Sequence, residues 1–291
     1  MTFKRTIFAG GLVLAVFAAL HGAVRRAHAE GPPKRIVSFN LCSDQLLLAL
    51  ADPGQIAGLS PYAVNPLLSV MTEQAAGFPR LDWDAESIVT LAPDLVLVGP
   101  SRRPTRAMLD AMGIRVAEVD LVSNLADAQR QAREIGALVG HPERGEALAR
   151  DLAQAEVRLA AAAIKPPRTA LVIQREGYRE GPASLVSNML SVAGLQPPAR
   201  ASSGGGFMSA EQGGFVSLEH LLTDGPDVLV FQDPPRAAQD QGALFITHPA
   251  LLARYGADRR IDLPERYTVC GGPSLLQGLD YLTKAIGTLR K

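Results

Sequence analysis

Apolar residues along this chain fall into two rhythms. Arg35-Ile36-Val37-Ser38-Phe39 is a short apolar run that stops at Asn40, and Ser43 to Ala51 then spaces its leucines as a helix does. Short runs at Gln55–Leu59, Asp94–Val98 and Arg115–Val119 read as strands, with a loop at Ser60-Pro61-Tyr62 and a helix at Thr105–Met112. Strands and helices alternating across short joints predict an α/β unit with a mostly parallel sheet covered on both faces. Another amphipathic helix spans Leu125–Val139 and breaks at Gly140-His141-Pro142. From Pro142 to Ile164 the chain is rich in Ala, Leu, Glu and Arg, with Leu148, Leu152, Ala155 and Leu159 on one face. That stretch predicts a single helix about 30–35 Å long at 1.5 Å per residue, stopped by Pro166-Pro167. The pattern then restarts, with strands at Arg168–Gln174, Asp227–Phe231 and Ile261–Leu263 and helices at Ser184–Ala193 and Ser274–Leu289. Ser202–Gly214, with two glycine clusters, reads as a mobile loop.

A thirteen-residue phrase occurs twice, at Glu86–Val98 (ESIVTLAPDLVLV) and at Glu219–Phe231 (EHLLTDGPDVLVF), 133 residues apart. In each copy a Glu opens a short apolar helix, a Thr follows four residues on, and Pro-Asp feeds a strand. Two lobes built on one plan follow from this, residues 30–141 and 166–291, joined by the long helix within 142–165. Each lobe presents one carboxylate at an equivalent place.

Residues 1–29 carry a different signal. Lys4 and Arg5 precede an apolar run from Ile7 to Leu20, and Ala27-His28-Ala29 offers a cleavage site before Glu30. This reads as a secretory signal peptide. The alternative, an uncleaved anchor, requires a run nearer the roughly twenty residues that span a bilayer. Cleavage removes four basic residues and turns a formal charge of zero into −4, which argues against a nucleic-acid-binding surface. Two cysteines, Cys42 and Cys270, stand at opposite ends of the remaining chain. In an oxidising compartment they either close one very long loop as a disulfide or stand as separate thiols.

The phrases RIVSFNLCSDQLLLAL (Arg35–Leu50), AESIVTLAPDLVLV, GPASLVSNMLSVAG (Gly181–Gly194) and VSLEHLLTDGPDVLVF, with the long helix between them, together resemble the periplasmic substrate-binding proteins of ABC importers for iron(III)-siderophores, haem and cobalamin. The resemblance covers essentially the whole chain after the leader. It implies two sandwich-type α/β lobes bridged by one helix, a metal-chelate ligand held between them, no cofactor, and a periplasmic monomer that docks on a membrane permease dimer. Glu86 and Glu219 match the pair that engages arginines on the two permease subunits. Rim charges of this kind guide encounter and fix orientation more than they add affinity. The plainer role for either Glu is to favour a helix N-terminus, worth about 0.3–1 kcal/mol.

Ligands in open α/β folds sit at the C-terminal ends of the strands. The loops there hold the candidate ligand contacts Asn40, Cys42, Tyr62, Trp83, Arg102 and Arg103 in the first lobe, and Arg175, Tyr178, Phe215, Arg266 and Tyr267 in the second. By the resemblance, Tyr62 stands where cobalamin binders carry a ring that packs on the corrin, Tyr267 lies near another such position, and Trp83 lies close to a cleft tryptophan. Gly99 stands where cobalamin binders often have tryptophan, which weakens that assignment. Arginines in these loops suit an anionic chelate instead, because guanidinium forks match oxyanions. The structural alternative for each is a surface aromatic packed under its loop or a solvated arginine.

Three other classes stay in view. No G-x-S-x-G, H-E-x-x-H or G-x-x-x-x-G-K-[ST] signature of common enzymes occurs. A zinc or manganese binder needs clustered His and carboxylates, whereas His141, His220 and His248 are scattered. A ligand-free periplasmic scaffold or sensor on the same fold is the third.

Overall fold

The computed structural model describes residues 31–82, 84–100, 104–198, 213–232 and 241–289. The leader expected at 1–29 lies outside them. The short apolar runs of the first half form β1 (Ile36–Ser38), β2 (Ile56–Gly58), β3 (Leu95–Val98) and β4 (Val116–Glu118), a four-stranded parallel sheet in the order β2-β1-β3-β4. All four residues of β3 are buried because both faces are covered. Ile36, Leu95 and Leu97 pack with Leu46, Leu47 and Leu50 of helix α1 (Leu41–Leu50) and with Ile135, while Val37, Val96 and Val98 pack on the opposite face with Leu81, Ile88 and Leu109. Alternation along each strand thus feeds two cores.

The second half forms β5 (Arg168–Ile173), β6 (Tyr178–Glu180), β7 (Leu195–Gln196), β8 (Gly213–Phe215), β9 (Val228–Phe231) and β10 (Arg260–Asp262). The main order is β10-β9-β5-β6-β8, and β7 also pairs with β5. Along β7-β5-β9-β10 every pairing is parallel, which repeats the plan β2-β1-β3-β4 of the first sheet. The antiparallel ribbon β6-β8 is the addition. Gly213-Gly214, expected to end a mobile loop, instead lie in β8, because their backbone completes a ladder with Arg179 and Glu180. The segment expected to be a plain loop after β2 is a 3₁₀ turn, Pro61–Val64, capped by Ser60.

Side chains keep the repeat as well. In helix α3 (Ala85–Thr90), Thr90 donates its hydroxyl to the Glu86 carbonyl at 2.9 Å, and in helix α8 (Leu218–Asp224), Thr223 does the same to Glu219 at 2.9 Å. Asp94 accepts from the backbone N–H groups of Lys34 and Arg35 at 2.7 and 3.0 Å, just before β1. Asp227 accepts from the N–H and hydroxyl of Thr169 at 2.8 and 2.7 Å, at the start of β5. Those Thr169 hydrogen bonds, the hydroxyl's first, hold the Asp227 carboxyl below the usual range. In each sheet the Pro-Asp carboxylate pins the neighbouring strand in register.

Between the sheets runs helix α6 (Pro142–Ala161), twenty residues and so about 30 Å. Leu148 packs against the apolar clusters of both sheets, while Leu152 and Leu159 belong to that of the second. Helix α5 (Leu125–Leu138) lies against α6, and glycines set their approach: a Cβ on Gly145 would stand 2.6 Å from the Ala132 carbonyl oxygen. Cys42, in the first turn of α1, is bonded to Cys270, which precedes the closing helix α10 (Pro273–Leu289), with S–S 2.04 Å. Pro33–Lys291 groups as one compact unit, so the two sheets do not separate into independent bodies. No helix of the described residues is long and apolar enough to cross a membrane.

We expect Gly145→Ala to destabilise the protein by about 1–3 kcal/mol, since the clash is with backbone that cannot yield locally. Gly287→Ala, on an exposed turn of α10 with open space around it, should stabilise by about 0.5–1 kcal/mol. Urea unfolding of the two variants checks both signs.

Candidate functional site

Polar residues follow β1, β5 and β9, and those of the second sheet meet. Asn40, immediately before α1, caps that helix, its Oδ1 accepting from the N–H groups of Cys42 and Ser43 at 2.8 and 3.3 Å. Gly99, after β3, leaves the room that the Asn40 side chain fills. The equivalent positions of the second sheet are Gln174 after β5 and Gln232 after β9. Gln174 Nε2 donates to Gln232 Oε1 at 2.7 Å and to Glu180 Oε1 at 2.6 Å, and Gln232 Nε2 donates to the Thr268 hydroxyl at 2.6 Å. Burial pushes the Glu180 carboxyl up, against the Gln174 hydrogen bond.

A second polar cluster lies under the first sheet's loops. Asp44 is fully buried on α1, and its two oxygens accept from Ser60 N–H at 3.0 Å and from Ser60 Oγ at 2.5 Å. Burial, opposed by hydrogen bonds from Ser38 and Ser60, pushes its pKa up to about 7.

The strand-end loops of the two sheets join along one seam. The Cys42–Cys270 disulfide links the first turn of α1 to the segment after β10, inside an apolar patch of Leu41, Leu68 and Val269. Nearby, Arg266 Nη1 donates to the Pro66 carbonyl at 3.2 Å. Its guanidinium also lies 5.1 Å from the centroid of the Tyr267 ring, which in turn stacks at 5.3 Å on Tyr281 against the second core. There is no free cysteine, so the reading of two thiols does not apply.

Among the other candidate contacts, Tyr62 sits in the 3₁₀ turn after β2 with 44% of its surface exposed. Phe215 ends β8 and is 64% exposed, and Tyr178 meets it edge-on across the ribbon at 5.6 Å. Arg175 follows β5, with its guanidinium against the backbone of Gly242. Trp83, Arg102 and Arg103 lie outside the described residues. Glu86 and Glu219 are exposed in the first turns of α3 and α8. Each of these helices runs back to the start of a parallel strand, so its N-terminus lies toward the strand's C-terminal end.

The polar residues Gln174, Glu180 and Gln232 were not among the sequence candidates. For Gln174 and Gln232 the signal available was position, the first polar residue after an apolar run; Glu180, in Tyr178-Arg179-Glu180, had none. Among the described residues no three His, Cys, Asp or Glu form a metal-ligating group. His141 contacts Gln55 and Asp52 at 3.1 and 3.2 Å, and His248 caps a helix, accepting from Ala250 N–H at 3.2 Å. A separate groove between β10 and α10 is lined by Arg260, Ile261, Asp262, Tyr281 and Lys284, and its Arg260 is already paired with Asp262 at 3.2 Å.

The model of the periplasmic binding protein family matches residues 36–257, from β1 to beyond the last helix before β10. The chain belongs to the periplasmic binding protein family. Members of this family bind substrates for transporters and are not enzymes. Solved structures agree in fold with this binding protein. The periplasmic vitamin B12 binding protein BtuF of Vibrio cholerae is 20% identical, with TM-score 0.67 over 89% of this chain and 99% of that one. The periplasmic heme-binding protein RhuT of Roseiflexus sp. RS-1 in apo form is 24% identical, with TM-score 0.68 over 89% and 99%. An ABC-type Fe3+-hydroxamate transport protein of Saccharomonospora viridis is 24% identical, with TM-score 0.62 over 89% and 94%. No curated protein matches by sequence.

The raised pKa of Asp44 makes the stability of this binding protein depend on pH. The folded pKa of about 7 lies above the ordinary value of 3.8, so the folded state holds the proton more tightly than the unfolded chain. The contribution is therefore complete below the lower value and is lost as pH rises through about 7. We expect Asp44→Asn to melt higher than wild type at pH 8, with the difference shrinking at pH 5, as read by thermal unfolding across that range.

Proposed function

We propose that the chain is the periplasmic solute-binding component of an ABC importer, exported by its cleaved leader, which holds a metal chelate between its two lobes and delivers it to a permease dimer as a monomer. The observation that carries this reading is the seam, where the strand-end loops of two equivalent sheets meet beside the disulfide and the Arg266–Pro66 hydrogen bond. Strand-end loops are where α/β folds place ligands. Of the chelates that the family resemblance names, a tetrapyrrole, haem or cobalamin, suits the described residues better than a siderophore. Exposed rings are on offer at Tyr62 and Phe215, with Tyr178 behind, and broad apolar faces pack on rings. Arg266, by contrast, is engaged with Pro66 and Tyr267.

Titration of the purified protein with haemin, cyanocobalamin, a ferric hydroxamate and a ferric catecholate, followed by Trp83 fluorescence, tests the ligand class. Saturable quenching by haemin or cyanocobalamin is expected. Binding of a siderophore alone overturns the tetrapyrrole assignment, and no response to any of them favours the scaffold or sensor. With the tetrapyrrole that binds, Tyr62→Ala should weaken affinity about tenfold, the scale of one aromatic contact. An unchanged dissociation constant removes Tyr62 from the site.

Glu86 and Glu219 are the docking pair in this reading. Both are exposed, both open the short helix of their copy of the repeat, and both sit toward the strand C-terminal ends. Reversing both charges, Glu86→Lys with Glu219→Lys, should abolish uptake in cells while ligand affinity in solution stays at the wild-type value. A parallel fall in affinity would place them in the pocket and not on the docking face.

A further inference from the structure

The side-chain hydrogen bonds at the strand ends of the second sheet form a series with a fixed direction, set by the groups at its two ends. Gln174 Nε2 serves two acceptors at once, Glu180 Oε1 at 2.6 Å and Gln232 Oε1 at 2.7 Å. Gln232 Nε2 donates to the Thr268 hydroxyl oxygen at 2.6 Å, and that hydroxyl donates in turn to the Glu265 carbonyl at 3.1 Å. Gln232 and Thr268 are 3% and 6% exposed, so water does not readily replace these partners. The Glu265 carbonyl also accepts from the N–H groups of Thr268 and Val269 at 2.8 and 3.1 Å, while Glu265 N–H donates to the Gln232 carbonyl at 3.0 Å. The series therefore ends on the 3₁₀ turn Glu265–Tyr267. That turn sends Arg266 across the seam to the Pro66 carbonyl and lays Tyr267 on Tyr281.

We propose that Glu180 is a positioning residue: an acceptor with no hydrogen to give, it fixes the orientation of both glutamine amides, keeps the Thr268 hydroxyl on the Glu265 carbonyl, and so sets the Arg266–Tyr267 turn at the seam. The proposal rests on the reading that the seam holds the ligand. An amide has nearly the same shape in its two orientations, and its partners' donors and acceptors decide between them. One nitrogen of Gln174 makes both of its bonds, so reversing that amide would turn its oxygen to Glu180 and to Gln232 together. Gln232 would then have to reverse as well and place its oxygen against Thr268. The Thr268 hydroxyl would have to leave Glu265 in order to donate to it. An ionised Glu180 excludes this second arrangement at its first step, because carboxylate oxygen would face amide oxygen.

The direction can be reversed without changing composition. Exchanging the two residues, Gln174→Glu with Glu180→Gln, keeps the charge and every link as far as Gln232. The acceptor now stands at 174, so Gln232 donates back to it and turns its oxygen to Thr268, and the Glu265 carbonyl loses the hydroxyl. Glu180→Gln alone permits both directions.

The test compares ligand-free wild type, Glu180→Gln and the exchanged double variant by amide hydrogen exchange of peptides covering residues 263–269. Burial raises the Glu180 pKa, so a pH of about 8 keeps it ionised. Exchange in the double variant should be about threefold faster than in wild type, the scale of one hydrogen bond lost from a carbonyl that keeps two others. The single variant should lie between them. Affinity for haemin and for cyanocobalamin is measured alongside and should weaken in the same order. A carboxylate needed only for its charge gives the opposite ranking, with the single variant fastest and the exchanged pair restored to wild type. That ranking, or equal exchange in all three, overturns the proposal. If the double variant does not fold, Glu180→Gln decides by itself, and exchange at the wild-type rate overturns the proposal. Exchange in the expected order with unchanged affinity for a tetrapyrrole that wild type binds overturns the link to the ligand. Should neither tetrapyrrole bind wild type, the functional reading fails, and the exchange ranking still decides the role of Glu180.

Discussion

One helix, Pro142–Ala161, presses its apolar face on the packing of both halves, and Leu148 alone touches the two cores. This contact constrains everything else. Protein interiors are packed at crystal-like density, so a helix shared by two cores cannot swing freely without opening voids in each. Relative motion of the sheets is thereby confined to small adjustments at the seam, in contrast to folds whose halves are joined by extended crossing strands. A ligand entering such a frame meets loops that are largely in place, and discrimination must come from the side chains those loops carry.

The backbone plan was legible from the chain in good part because parallel strands covered on both faces are continuous apolar runs. β3 and β9 are the plainest cases, each fed by Pro-Asp, although that Asp94 and Asp227 also pin a neighbouring strand is visible only in the structure. The strands that escaped notice, β6, β7 and β8, are two or three residues long and carry Tyr-Arg-Glu, Leu-Gln and Gly-Gly-Phe. Such segments have no periodicity of their own, and only pairing with β5 or with each other makes them strands. The polar groups at the strand ends were hidden for a related reason. Gln174, Gln232 and Thr268 acquire meaning from hydrogen bonds across 58 and 36 residues, which no local window contains. For the cysteines the sequence left two states open, and proximity in space was the missing fact.

The same strand ends show how the fold trades stability for a working surface. Burying a carboxyl such as Asp44 or Glu180 costs free energy that an apolar residue would not. Local rules of sequence–structure consistency are broken where a protein has something to do. Here the departures follow the strands, Asp44 in the first turn of α1 after β1 and Glu180 at the end of β6, and the strand N-terminal ends hold the conventional pins at Asp94 and Asp227, which are exposed and bonded.

The cysteine bond has a temporal side as well. Its partners are separated by 228 residues, and synthesis delivers Cys42 long before Cys270. Through most of the chain's emergence the earlier sulfur has no intramolecular mate, and the first sheet must assemble around an unoxidised α1. Only when the final segment arrives can Cys42 meet its partner, so the bond closes on a chain whose second half has already been made.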